Sequence, residues 1–119
     1  MVVVKISMSV FPEKQKELLQ TLFSMIGIVE KEAGCLGYAA FCDIEDKNLL
    51  ILLEEWKTRK HLDNHLRSET FGVLLGTRSL LNEPHGIQIF TIHHSEGLGA
   101  VHAARGVNTA VPEQLLPQD

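Results

Sequence analysis

The chain has 119 residues, 45% hydrophobic and 22% charged, with a formal net charge of −4 at pH 7. That length supports a single domain that buries roughly 65% of its unfolded surface, and the composition is that of an ordinary globular protein. The acidic balance argues against a nucleic-acid partner, because the densest basic stretch, KTRK at 57–60, is short, is followed by Asp63, and reads as the solvated start of a helix.

Residues 2–10 alternate. Val2, Val4, Ile6, Met8 and Val10 point one way, and Val3, Lys5, Ser7 and Ser9 the other, which is the period of a strand. Lys5 inside this stretch, with no small-residue cleavage site after it, argues against a signal peptide. Pro12 suits a first helical position. From Glu13 to Ala33 the period lengthens: Leu18, Leu19, Leu22, Phe23, Ile26 and Val29 recur every three or four residues, predicting a long amphipathic helix stopped at Gly34. Gly27 within it costs about 1 kcal/mol against Ala, and is expected to let a strand come close.

Two further strands are predicted over 36–43 and 48–56, joined by a tight turn at IEDK, 44–47. LLILL, 49–53, is the longest apolar run and falls far short of the roughly 20 residues of a membrane span. Cys35 and Cys42, seven steps apart along one strand, are over ~20 Å apart at about 3.3 Å per residue, beyond disulfide reach. Reduced thiols and the missing export signal point to the cytoplasm. Thr58 is the expected cap of a short helix through Leu66, and Ser68 of another through about Leu81 with Phe71, Leu74, Leu75 and Leu81 inside. A last strand is predicted over 86–94. Residues 95–119, rich in Gly and Ala, read as a tail, disordered or packed on a partner subunit, outside a domain of residues 1–94.

The order is βαββαβ, an α+β ferredoxin-like fold with helices on one face of an antiparallel sheet. Strand 48–56 is apolar on both faces, and strand 86–94 sets Ile87 and Ile89 against Phe90 and Ile92. A half-exposed antiparallel sheet should alternate. The bare face therefore predicts a second copy packed sheet to sheet, a homodimer.

The stretch EEWKTRKHLDNHL, 54–66, concentrates the chemistry. Glu54 and Trp56 share a strand face. Glu54 and Glu55 point oppositely, and a buried carboxylate needs a partner, for which Lys5 and Ser7 are candidates; Glu54 reads as half of an ion pair or as a general base, the ion pair being favoured. His61 and His65 are four residues apart on one helical face, each about 100° from a buried Leu, and so are expected at the core's border. Metal ligation is not expected: Leu62 stands where a zinc-protease motif needs Glu, and His93 and His94 point to opposite faces. Phosphate, nicotinamide and flavin fingerprints are missing.

GCLGY at 34–38, the D-x-E-D turn at 43–46, EEW at 54–56, HLDNHL at 61–66 and S-x-x-F at 68–71 resemble the antibiotic biosynthesis monooxygenase family, closest to its quinol monooxygenase branch, in order and spacing from about Val2 to Phe90. The resemblance implies a dimeric α/β barrel with a cavity in each subunit between sheet and helices. It implies oxygenation without metal, flavin or haem: a deprotonated hydroquinone or anthrone passes an electron to O₂ itself, and the protein binds the ring and stabilises the anion. On that reading His65 and Trp56 are the catalytic residues, His65 handling the proton or binding the anion. Trp56 and Phe71 line the cavity wall, and Tyr38, Ser7 and His61 are further contacts to a small aromatic substrate. The Asn, Trp and His of haem-degrading relatives are absent at the matching places. Lys5, Arg59 and Arg67 are too scattered for the phosphate site of a sugar-isomerising relative. A non-catalytic ligand-binding or stress-associated dimer using the same cavity stays open as the alternative.

Overall fold

A computed structural model describes residues 1–106. Its elements are β1 (Val2–Ser9), α1 (Gln15–Val29), β2 (Cys35–Cys42), β3 (Leu49–Trp56), α2 (Arg59–Leu66), α3 (Glu69–Gly76), β4 (Gly86–Thr91) and α4 (Leu98–Ala104). The four strands form one antiparallel sheet in the order β2-β3-β1-β4, with α1, α2 and α3 on one face. This is the α+β ferredoxin-like arrangement that the βαββαβ pattern predicts. Residues 107–119 of the expected tail lie outside the described residues.

Strand alternation places the core. Val2, Val4, Ile6 and Met8 of β1 are buried, and so are Leu50, Leu52, Glu54 and Trp56 of β3, directly opposite them in register. The alternate residues Leu49, Ile51, Leu53 and Glu55 are half-buried on the bare face. Phe41 and Phe90 lie on that face at 53% and 42% exposure.

The helices differ in detail from their periodicity. Pro12–Lys14 form a 3-10 turn before α1, and the helix ends at Val29, ahead of the predicted Ala33. Its buried stripe is Leu18, Leu22, Met25 and Val29, while Phe23 points outward at 72% exposure. A 100° step per residue puts Phe23 beyond the stripe's edge and Met25 on its axis. Gly27 has nothing within 4 Å of where a Cβ would stand, so no strand approaches it. Gly34, by contrast, takes φ 81° beneath the His61 ring, where a Cβ would collide.

Thr58 and Ser68 cap α2 and α3 as expected, accepting from His61 N at 3.2 Å and Phe71 N at 3.1 Å. α3 stops at Gly76, and Thr77–Leu80 tighten into a 3-10 turn in place of the helix expected to Leu81. The cause is local: the Thr77 hydroxyl donates to the Leu74 carbonyl at 2.6 Å, a side-chain bond that competes with the helical ladder. Leu75, expected inside, is 47% exposed. β4 ends at Thr91, and the tail forms α4, with Leu98 and Val101 exposed.

The two glycines separate backbone need from helix propensity. Gly34→Ala is expected to cost about 1–2 kcal/mol or more, from a left-handed residue and displacement of His61. Gly27→Ala is expected to stabilise by about 0.5–1 kcal/mol. Urea denaturation of the two variants reads both signs.

Candidate active site

β3 leaves the sheet with Glu54 and Trp56 on the helix face, two residues apart and both without solvent exposure. The Trp56 indole N–H donates to Glu54 Oε1 at 2.9 Å. α2 lays its last turn over them. The His65 ring stacks on Trp56 with centroids 4.6 Å apart and planes 26° apart, and meets Phe71 of α3 edge-on at 5.4 Å. Tyr38 is directly across from Glu54 on β2 and 6% exposed.

Carboxylates flank His65 on both sides. Its Nδ1 is 2.9 Å from Glu32 Oε2, in the loop after α1. Its Nε2 is 3.5 Å from Glu54 Oε1, an attraction between charges without hydrogen-bond geometry. Burial pulls the imidazole pKa down, but Glu54 and then Glu32 outweigh it, and His65 titrates above its ordinary value. Burial and the same two carboxylates push the Tyr38 hydroxyl well above its ordinary range, so it stays protonated and is a donor. Three buried polar atoms in this cluster have no hydrogen-bond partner: Tyr38 Oη, Glu54 Oε2 and His65 Nε2. Buried polar groups are normally paired, so a concentration of three in one cluster is unusual.

Of the sequence-predicted residues, Trp56, His65, Phe71 and Tyr38 come together here. Ser7 does not. It lies on the bare face, opposite Ile51 and Gly86, because the apolar residues of β1 face the helices. The same alternation keeps Lys5 from Glu54, whose neighbour on β1 is Val4; the carboxylate's partners are Trp56 and His65 instead. His61 is also apart. It sits in the first turn of α2 with Nδ1 2.8 Å from Thr58 Oγ1 and its ring over Gly34. His65, expected at the core's border, is buried at 1% exposure, since Glu32 and Glu54 attend both ring nitrogens. Glu32 is the residue that sequence reasoning missed. It is 33 positions from His65 in a loop, and no periodicity marks it; the only signal is that a buried imidazole needs a partner.

The described cavity is not beside Trp56. It lies between α1 and β2, about 180 Å³, lined by Leu19, Leu22, Phe23, Ile26, Ala40, Phe41, Cys42 and Leu50. Trp56 and Phe71 are therefore not its walls: the His65 ring fills the space between them. The cavity and the polar cluster are neighbours all the same, since Ala40 and Tyr38 are two residues apart on one face of β2, about 7 Å. Cys35 and Cys42 are free thiols at the two ends of that strand. Among the described residues no group of three His, Cys, Asp or Glu is arranged to hold a metal ion, and no helix is long and apolar enough to cross a membrane.

This fold is that of a known class. The family model described as antibiotic biosynthesis monooxygenase matches residues 1–74, and the chain belongs to that family. All residues of the cluster fall within the match. The Bacillus subtilis protein named "Putative monooxygenase YcnE" is 28% identical over 85 residues, spanning 71% of this chain and 90% of that protein. A conserved protein from Methanosarcina mazei Go1 is similar in structure at TM-score 0.71 and 33% identity, over 75% of this chain and 89% of that one. Rv0793 from Mycobacterium tuberculosis has the same fold, at TM-score 0.74 and 23% identity, over 81% of this chain and 98% of that one.

His65→Gln removes the charge that offsets buried Glu54 and is expected to destabilise the fold by about 3 kcal/mol, the cost of leaving a buried charge unpaired. The effect has a pH signature. Because the folded His65 value is raised, its contribution is complete below about pH 6.5 and lost as pH rises through the folded value. Denaturation of wild type and variant across pH 6–9 should show a gap that narrows toward high pH.

Proposed function

We propose that the protein is a cofactor-independent monooxygenase of a small, electron-rich aromatic hydroxyl compound of the quinol type, and that it works as a homodimer. The observation that carries this reading is the set of three unpartnered buried polar atoms around the Trp56–His65 stack, next to an apolar cavity. At about 180 Å³ the cavity is smaller than the roughly 300–1,000 Å³ usual for ligand pockets, which suits one or two rings. A ring lying there extends its hydroxyl past Ala40 to Tyr38, Glu54 and His65.

The chemistry asks little of the protein. A quinol and O₂ give a hydroxyquinone and water; the ring supplies all four electrons that O₂ takes up, one oxygen atom enters it, and the other leaves as water. The ring passes an electron to O₂ as its hydroxyl loses a proton, and the resulting radical and superoxide combine. Tyr38 and His65 hold the ring oxygen while its proton leaves, so that the partial negative charge building on it is stabilised and a neutral radical results. The apolar cleft, open to solvent beside Phe23 and Phe41, gives the ring a surface to lie on and lets oxygen in. The bare sheet face, where Phe41 and Phe90 flank the half-buried Leu49, Ile51 and Leu53, supports the homodimer: a second copy would cover it, and size-exclusion with light scattering should give twice the chain's mass.

One observation favours the non-catalytic alternative: the cavity lining is apolar but for the Cys42 thiol, as befits a binding protein. Oxygen uptake with 1,4-naphthohydroquinone separates the two. The monooxygenase reading expects a protein-dependent rate that Tyr38→Phe lowers roughly 10²-fold, as loss of one donor to the anion does. Stability should hold or rise in that variant, because the hydroxyl removed has no partner. Background-level uptake with saturable ring binding would leave the binding-protein reading in its place.

A further inference from the structure

The polar cluster fixes more than the presence of a hydroxyl site; its charges assign the roles within it. A carboxylate only accepts hydrogen bonds, so His65 Nδ1, 2.9 Å from Glu32 Oε2, carries a proton. Nε2 faces a second carboxylate oxygen at 3.5 Å, an arrangement that a bare ring nitrogen lone pair would oppose and a proton favours. The carboxylates on its two sides favour the doubly protonated imidazole, whose pKa is raised by Glu54 and Glu32, and a ring in that form has no lone pair with which to act as a base. Trp56 occupies Glu54 Oε1. The acceptor left over is Glu54 Oε2, without a partner and in a residue with no solvent exposure.

We propose that Glu54, not His65, accepts the substrate's hydroxyl hydrogen bond and then its proton, with Glu32 holding His65 beside it as a fixed cation, so that the buried end of the site selects a neutral hydroxyl over an anion on the same ring. The proposal rests on the hydroxyl-binding site described above and adds its charge selectivity. A hydroxyl has what these atoms ask for, a proton to give Glu54 Oε2 and lone pairs for Tyr38 or His65 Nε2. A carboxylate or phosphate oxygen has no proton to give Glu54. Two carboxylates and one imidazolium leave the cluster one negative charge in excess, so an incoming anion meets net repulsion in a place without water. In the oxidative step the ring gives one electron to O₂, forming superoxide, and its hydroxyl proton passes to Glu54, leaving a neutral ring radical. Glu32, with 25% of its side chain exposed, is a positioning residue acting through His65.

The pair 1-naphthol and 1-naphthoate tests this, with the same rings and a neutral or anionic oxygen group. Each is titrated at pH 7 in air-free buffer into the full chain, and binding is read from the indole N–H resonance of the only Trp. Naphthol should bind saturably and at least tenfold more tightly than naphthoate. Glu54→Gln should shrink that ratio to threefold or less, weakening naphthol and relieving naphthoate. Glu32→Gln should shift the loss of naphthol affinity with rising pH to lower pH than in wild type, a change that a purely structural role does not produce. The titratable groups facing His65 in that titration are Glu54 of β3 and Glu32 of the loop after α1. Naphthoate binding as tightly as naphthol, no naphthol binding, or an unchanged pH midpoint in Glu32→Gln overturns the proposal. The wild-type ratio decides the matter should Glu54→Gln fail to fold. No oxygen is present, so selective binding without turnover elsewhere would remove the monooxygenase reading and leave this inference standing.

Discussion

The Glu54 carboxylate is the constraint on which the rest of the structure depends. It sits without solvent exposure in the middle of an apolar core, where an unpaired charge costs several kcal/mol even after relaxation. Everything around it answers that cost. Trp56 turns its indole N–H back along the strand to Oε1, which fixes the ring's orientation. His65 lies on the indole and brings a positive charge beside the same oxygen, which fixes the last turn of α2. Glu32 then holds the far side of the imidazole and ties down the chain between α1 and β2. One buried charge thereby links three separate segments, and the link is polar where the neighbouring core is hydrophobic.

The network is incomplete by itself. Glu54 Oε2, His65 Nε2 and Tyr38 Oη share no partner, and each buried unpaired group lowers stability by about 1–3 kcal/mol. A core selected for stability alone would replace Tyr38 with Phe and Glu54 with Gln or Leu. Retaining three open valences in one place is the usual sign of a site that gives up stability for binding or reaction. The apolar cavity two residues further along β2 supplies what the polar cluster lacks, a surface for a ring. A polar end and an apolar end thus share one strand face.

Much of this was legible in the sequence, and the limits have physical causes. The period-two alternation of Val2 to Met8 and the two-sided apolar run of Leu49 to Leu53 are set by the pleat, which no tertiary contact alters, so the strands and both their faces could be read. The same alternation shows Ser7 pointing away from the helices, because Val2, Val4 and Ile6 must face them. Phe23 against Met25 was a closer matter, since helix position decides burial and hydrophobicity decides only preference. The end of α3 at Gly76 turned on one threonine hydroxyl. The pairing of His65 with Glu32 was out of reach, because it depends on how the loop after α1 passes the end of α2. The cavity's position was equally hidden, as it is the space left between α1 and the far end of β2 once the helix has settled on the sheet.

The account comes down to His65 being a cation locked between two carboxylates. The ¹⁵N resonances of its imidazole, recorded in the folded protein at pH 7, report the protonation of each nitrogen separately. The account predicts that both carry protons, with the transition to the neutral ring above the ordinary histidine value. A neutral ring with a bare Nε2 at pH 7 would contradict it and return the role of base to His65.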